Sequence, residues 1–183
     1  MNVVAIRLAG LKTVELERFE DARGFFIERY NQERFRQEGL PSNFCQDNHS
    51  RSAPGVLRGL HYQTDPPQGK LIGVVHGRIW DVVVDIRPQS PTYGEHFACE
   101  LNDTEGRLLW IPPGLAHGFC VLGDEPADVV YKVDQPYSPA SEGGILWSDD
   151  ELGIKWPVAQ PMVSPRDQRL PPFKEYRLRP PAW

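Results

Sequence analysis

The run Trp80-Asp81-Val82-Val83-Val84-Asp85-Ile86, inside the stretch Arg78–Arg87, decides the fold class. At period two, Trp80, Val82, Val84 and Ile86 share one side and are wholly apolar, while Asp81, Val83 and Asp85 share the other. Alternation of this kind, rich in β-branched residues, is a strand signal. Comparable short runs lie at Gly24–Tyr30, Phe44–Asn48, Val56–Gln63, Lys70–Val75, Glu95–Leu101, Arg107–Ile111, His117–Leu122 and Asp128–Asp134. Turn chemistry separates them at His76-Gly77, Ser90-Pro91, Asn102-Asp103, Pro112-Pro113-Gly114 and Gly123-Asp124-Glu125-Pro126. Glycine and proline, 16 and 18 of 183 residues, make up nearly a fifth of the chain, against roughly 12% on average. Prolines spread so evenly break helices repeatedly, which excludes a helical bundle. The expectation is an all-β sandwich or small antiparallel barrel with few short helices.

One helix is expected after Asn31, which can cap it, with Glu33 in the first turn and Gly39 at its end. A second helical turn is expected near Glu142 or in the Pro-rich tail. Nothing repeats at a fixed period and no low-complexity linker divides the chain. The reading is therefore one domain over residues 1–183, with an extended tail from about residue 157 wrapping the core. In Val129-Val130-Tyr131-Lys132-Val133, Tyr131 shares a side with two valines while Lys132 looks the other way, so Tyr131 is expected to point into the barrel.

Composition narrows the function. The 20 basic and 25 acidic residues give a net charge of −5, which disfavours a nucleic-acid binder, because that role needs a basic surface field. No apolar stretch approaches the roughly 18–20 residues that cross a bilayer, and residues Met1 to Arg7 show no basic, apolar leader. The expected location is cytoplasmic, with no membrane contact. Cys45, Cys99 and Cys120 are odd in number and far apart, which argues against a disulfide framework or a cysteine-rich zinc site.

Two constellations carry chemistry. In Arg58-Gly59-Leu60-His61-Tyr62-Gln63, followed by Gln68-Gly69-Lys70, an Arg, a His and a Lys crowd one strand-turn-strand unit of an acidic protein. Arg58 and His61 have opposite parity, and Gly59 between them is a natural place for a bulge that re-aims one of them. On spacing alone, a cationic site and an ordinary hairpin with exposed charges both remain open. The second constellation runs from Gly106 to His117 with the spacing G-x5-P-x-G-x2-H. It resembles the second motif of the cupin superfamily, where a tight Pro-Gly turn delivers a histidine to the mouth of a small β-barrel. Metal-binding cupins add an H-x-H pair and a Glu. Here those places hold His61-x-Gln63 and Lys70. An ammonium has no lone pair for a metal, so the reading is no metal, with Lys70 as the replacement electrophile.

At these residues the chain resembles the dTDP-4-dehydrorhamnose 3,5-epimerase family. The likeness covers about Leu8 to Asp167 and includes Asp21–Glu28, Gln46–Ser52, Val56–Gln63, Lys70-Leu71, Asp81–Arg87, Ser90–Gly94 and Ile111–Phe119. It implies a cupin-type jelly roll, and an epimerase inverting C3 and C5 of dTDP-4-dehydro-6-deoxy-D-glucose on the way to dTDP-L-rhamnose, without a cofactor. By the same resemblance His61 is the base, Asp167 holds its other ring nitrogen, Tyr131 is the acid and Lys70 meets the enolate oxygen. Spacing alone favours reading Tyr131 as an aromatic core filler. Arg23, Phe26, Glu28, Gln46, Asp47, Asn48, Arg58, His117, Glu142 and Arg166 match substrate-binding positions, and Tyr137 the residue that stacks on thymine. Relatives commonly carry Lys at the position of Arg166. A homodimer with exchanged N-terminal strands is implied, bringing Arg23 and Glu28 to the neighbour's site. Three rivals stay in play: a mono-epimerase of a related dTDP-4-keto-6-deoxysugar pathway, a metal-dependent cupin enzyme, and a non-catalytic sugar-binding cupin.

Overall fold

In the computed structural model, which describes residues 1–183, fourteen short strands dominate. In chain order they begin with β1 (Asn2–Ala5), β2 (Lys12–Glu15), β3 (Arg18–Asp21), β4 (Gly24–Ile27) and β5 (Gln46–Ser52). There follow β6 (Val56–Gln63), β7 (Lys70–His76), β8 (Arg78–Asp85), β9 (His96–Asn102) and β10 (Arg107–Ile111). The last are β11 (Leu115–Val121), β12 (Ala127–Val133), β13 (Glu142–Gly144) and β14 (Met162–Val163). One sheet has the order β1-β2-β10-β7-β12-β5; the other runs β13-β6-β11-β8-β9, with β14 added in parallel to β6. Every other pairing is antiparallel, and β3 and β4 form a separate hairpin. The all-β cupin-type expectation holds.

The two sheets face each other across a core in which Ile72, Leu109 and Val129 from the first meet Ile79, Val83 and Phe119 from the second. Tyr131 packs against this core, as its parity requires. On β8 both sides are dry: Val82 and Val84 pack outward under the C-terminal segment, while Asp81 and Asp85 are fully inaccessible on the inner side. Each acid is tied by hydrogen bonds, Asp85 to Arg87, Ser90 and Thr92, and Asp81 to His117. A buried carboxylate persists only with such partners.

The helix α1 (Gln32–Gln37) forms where Asn31 predicts it. The Asn31 side chain accepts from the Arg34 N–H at 3.2 Å, and Gly39 follows the helix at φ +64°. Phe35 and Leu40 cover the outer face of the first sheet through Leu71, Leu108 and Trp110. The second helical turn lies in the tail, as a 3-10 turn at Asp167–Arg169 and α2 (Phe173–Leu178), whereas Glu142 is in a strand. The tail is thus more than extended chain. Pro172 leaves the start of α2 without a capping side chain of its own, and Asp149 supplies one from 24 residues away by accepting from the Phe173 N–H at 2.8 Å. Strands β1 to β3 have no counterpart among the sequence expectations, because runs of four residues with charges in them, such as Lys12–Glu15, carry too weak an alternation.

Phe173 lies between Tyr93 and Tyr176 and is 2% exposed, whereas Leu178 on the same helix is 80% exposed. Phe173→Ala is expected to cost about 3–5 kcal/mol and lower the thermal midpoint by roughly 10 °C. Leu178→Ala should stay within about 0.5 kcal/mol of the parent, both read by calorimetry.

Candidate active site

Between the sheets lies a cavity of about 610 Å³, continued by a smaller pocket of about 300 Å³. The two share His61, Lys70 and Tyr131, so these three mark the junction of one cleft. Strand geometry explains why they meet. On the second sheet, His61 of β6 is the cross-strand partner of His117 of β11. On the first, Lys70 pairs with Val133 and Tyr131 with Ile72, so β7 and β12 present both side chains to the same interior.

Arg58 reaches that interior as well, despite its parity. Between the pairs His117↔His61 and Phe119↔Arg58, β11 advances two residues and β6 three, so β6 carries one extra residue. That is the bulge predicted at Gly59. Gly59 has φ +123°, and a Cβ there would lie 2.5 Å from Gly118 Cα and 2.8 Å from the His117 carbonyl oxygen. Only glycine serves at this crossing. The same turn of backbone aims the Gly59 N–H at Asp167, which accepts it at 3.2 Å.

Asp167 is 3% exposed and binds His61 Nε2 at 2.8 Å through its other oxygen. It arrives there because β14 pairs in parallel with the start of β6 and Ser164 Oγ accepts the Asp167 N–H. Burial opposes its charge, but the bond from His61, the Gly59 N–H and the nearby Arg166 outweigh this and hold the carboxyl below its ordinary range. His61 Nδ1 makes no hydrogen bond within the chain and is not enclosed, so it opens on the cavity. The Tyr131 hydroxyl is likewise unpartnered; burial raises its pKa, offset in part by Arg58. Lys70 has no ion-pair partner. Burial pushes its pKa down, and the charges of Glu142 and Asp81 push back.

At the outer pocket, Glu142 accepts from Arg166 at 2.7 Å and from the Tyr137 hydroxyl at 2.8 Å, while Gln46 accepts from the Tyr137 N–H. Burial would raise the Glu142 pKa, but these donors bring it below its usual value. Gln46 and Asn48 face in from β5 and are joined by a hydrogen bond. Of the residues expected to bind substrate, four lie off this cleft. Asp47 has the opposite parity on β5 and pairs with Lys132 at 2.9 Å. Arg23, paired with Asp21, Phe26, and Glu28, held by Arg34 and Asn31, sit on or beside the β3–β4 hairpin. The cleft adds Ser50, which the parity of Gln46 and Asn48 could have indicated, and Ser164, for which the sequence carries no signal. Gln63, at the cupin ligand place, is 3% exposed and spends both ends of its amide on the backbone of Pro66, Pro136 and Ser138. No three His, Cys, Asp or Glu side chains converge anywhere in the chain, and no helix is long and apolar enough to cross a membrane.

An imidazole and a phenol from opposite sheets line one cleft of a cupin-type scaffold, an arrangement suited to moving protons. A family model described as dTDP-4-dehydrorhamnose 3,5-epimerase matches residues 5–175. The enzyme of that name from Shigella flexneri is 50% identical over 169 residues, covering 91% of this chain and 93% of that one. The Legionella pneumophila dTDP-6-deoxy-D-glucose-3,5-epimerase, solved with dTDP-4-keto-L-rhamnose, superposes with a TM-score of 0.92 at 41% identity over 100% of this chain and 98% of that one. ChmJ, a 3'-monoepimerase of Streptomyces bikiniensis solved with dTDP-quinovose, gives 0.89 at 33% identity, covering 94% and 88%. The chain belongs to the dTDP-4-dehydrorhamnose 3,5-epimerase family.

The depressed pKa of Asp167 has a sign in stability. The unfolded carboxyl, near 3.9, takes its proton first as pH falls, so the stabilisation is complete above about pH 5 and is lost progressively as pH drops through the lower folded value. In urea unfolding, Asp167→Asn should be less stable than the parent at pH 5, and the gap should narrow at pH 4 and again at pH 3.5.

Proposed function

We propose that this epimerase inverts both C3 and C5 of dTDP-4-dehydro-6-deoxy-D-glucose, yielding dTDP-4-dehydro-β-L-rhamnose, with no cofactor. Both carbons flank the C4 ketone, so loss of either proton leaves its electron pair delocalised onto O4. A ketone α-proton is many pKa units weaker an acid than imidazolium, and each unit costs about 1.4 kcal/mol. A base alone cannot meet that; a cation fixed at O4 can supply much of it.

The observation that carries the reading is the placement of three groups with no other partner. His61 Nδ1 comes from one sheet, the Tyr131 hydroxyl from the other, and the Lys70 ammonium stands at the same junction. Asp167 accepts the Nε2 proton of His61, which leaves the Nδ1 lone pair free to take the carbon-bound proton. Lys70 meets the charge on O4. Tyr131 returns a proton to carbon from the opposite face; His61 then gives the proton it took to water and Tyr131 takes one back, which resets both groups. Arg58 and Arg166 suit the diphosphate, with fork geometry for its oxygens. Gln46, Asn48, His117 and Glu142 hold the remainder of the substrate, and the half-exposed ring of Tyr137 offers a surface for thymine.

A homodimer completes the site in this reading. Strand β1 pairs with β2, and β2 with β10 of the same chain, so the exchange falls to the β3–β4 hairpin, whose Phe19, Phe25 and Phe26 are 54%, 55% and 66% exposed. Set against a second copy, that hairpin brings Arg23, Phe26 and Glu28 to the neighbour's cleft. A mono-epimerase is the second reading, favoured by the likeness to ChmJ; the same groups serve it, and ring freedom in the cleft sets the count.

Incubation with substrate in deuterated water tests the chemistry. Label at both C3 and C5 supports double inversion, and label at one carbon supports the second reading. His61→Ala should abolish exchange, Tyr131→Phe should reduce net inversion more than exchange, and Lys70→Met should lower kcat by about 10²–10³. Exchange at the parent rate in His61→Ala removes the assigned base. Sedimentation should give twice the monomer mass, and Phe26→Ala should raise KM.

A further inference from the structure

The cleft holds a second histidine anchored as His61 is. His117 Nε2 lies 2.8 Å from Asp81, just as His61 Nε2 lies 2.8 Å from Asp167. The two imidazoles are cross-strand partners on β11 and β6, and both line the cavity. His117 Nδ1 makes no hydrogen bond within the chain and is not enclosed, so it too opens on that space. Two ring nitrogens therefore face one cavity from adjacent strands, each set by a carboxylate behind it.

The carboxylates differ in one respect. Asp167 also accepts from the Gly59 N–H, whereas Asp81 is wholly inaccessible, and its second oxygen has no partner at all. A buried carboxylate with one hydrogen bond costs several kcal/mol in desolvation and survives only if that bond and nearby cations serve it. Its strand neighbours give it no charge: it stands opposite Cys99 of β9, whose thiol is pushed up to about 12 by burial and by Asp81 itself. What remains is His117, together with the field of Lys70. A purely structural residue here would be better replaced by an apolar one, since swapping a buried polar group for a well-packed hydrophobe is often neutral or stabilising.

We propose that Asp81 is a positioning residue of the reaction, which fixes the His117 ring through Nε2 so that Nδ1 is presented to the bound sugar nucleotide beside His61. The proposal rests on the functional reading above in taking the sugar nucleotide as the cavity's occupant. Asp81 touches no substrate; it acts through His117. The oxygen without a partner makes it sensitive to its charge: an amide in its place offers Nε2 a neutral acceptor or an N–H, and loosens the choice of ring orientation.

The test uses the full chain as parent, Asp81→Asn, His117→Gln and the double variant, with dTDP-4-dehydro-6-deoxy-D-glucose. Asp81→Asn should lower kcat/KM by about ten- to a hundredfold, the range found where an outer carboxylate orients an imidazole ligand. The double variant should be no worse than His117→Gln alone, because both changes break one path. Long-range proton–nitrogen spectra of the parent imidazoles should show a proton on His117 Nε2, and the Asp81→Asn loss should persist far below its thermal midpoint, where a merely structural role would leave turnover unchanged. Parent-level turnover in Asp81→Asn, additive losses in the double variant, or a bare Nε2 in the parent would each overturn it. Should Asp81→Asn fail to fold, the parent spectrum still decides. Should the parent itself show no exchange into substrate, the functional reading fails, while the spectrum still reports whether Asp81 holds His117.

Discussion

One extra residue on β6 opposite β11 shapes this cleft more than any other feature of the backbone. Without it, strand parity would send Arg58 and His61 to opposite faces of the sheet, one to the cavity and one away from it. With it, both line the same space. The shift is possible because two glycines cross: Gly59 and Gly118 approach so closely that a Cβ on either would fall within 2.7 Å of the other strand's backbone. The freed Gly59 N–H then finds Asp167, which in turn sets His61. The placing of Arg58, His61 and Asp167 thus depends on a single local departure from regular pairing.

The electrostatics follow from placing cations in a cavity partly walled by apolar side chains. Ile72, Phe119 and Val129 wall the cavity that Lys70 enters, and an ammonium there is held by distant carboxylates rather than by a contact ion pair. A contact partner would neutralise the charge that the ammonium otherwise presents to the cavity. Burial weakens solvation and leaves the ammonium ready for an anionic partner. The outer pocket is built in the opposite way, with Arg166, Glu142, Tyr137 and Gln46 already bonded to one another. A shape held in advance suits binding, and an unpaired group suits chemistry; the cleft has one of each.

The C-terminal segment joins fold and site. Phe173 and Tyr176 cover the outer face of the second sheet, and the Tyr176 hydroxyl donates to the Ile86 carbonyl at 2.6 Å. The stretch before them carries Met162 to Asp167 along β6 and over the cavity. Packing on one side of a sheet therefore fixes Asp167 on the other, and the tail is as much a part of the cleft as the strands.

Much of this was legible in the amino-acid order. Period-two alternation in the runs from Gly24 to Asp134, the spread of Pro and Gly, and the Asn31 and Gly39 signals marked nine of the fourteen strands and the one capped helix, because these are local effects of backbone geometry. Parity alone turned Tyr131 inward, and the opposed parities of Arg58 and His61 with Gly59 between them marked the bulge. The pairing of His61 with Asp167, 106 residues away, could be reached only through family resemblance, since nothing local marks a contact made by a parallel two-residue strand. The remote cap that Asp149 gives α2 and the hold of Asp81 on His117 were settled only by long-range strand pairing and the docking of the tail. Local sequence sets which way each side chain can point; which of them meet is decided by long-range packing, where the cost of burying an unpaired charge selects the partners.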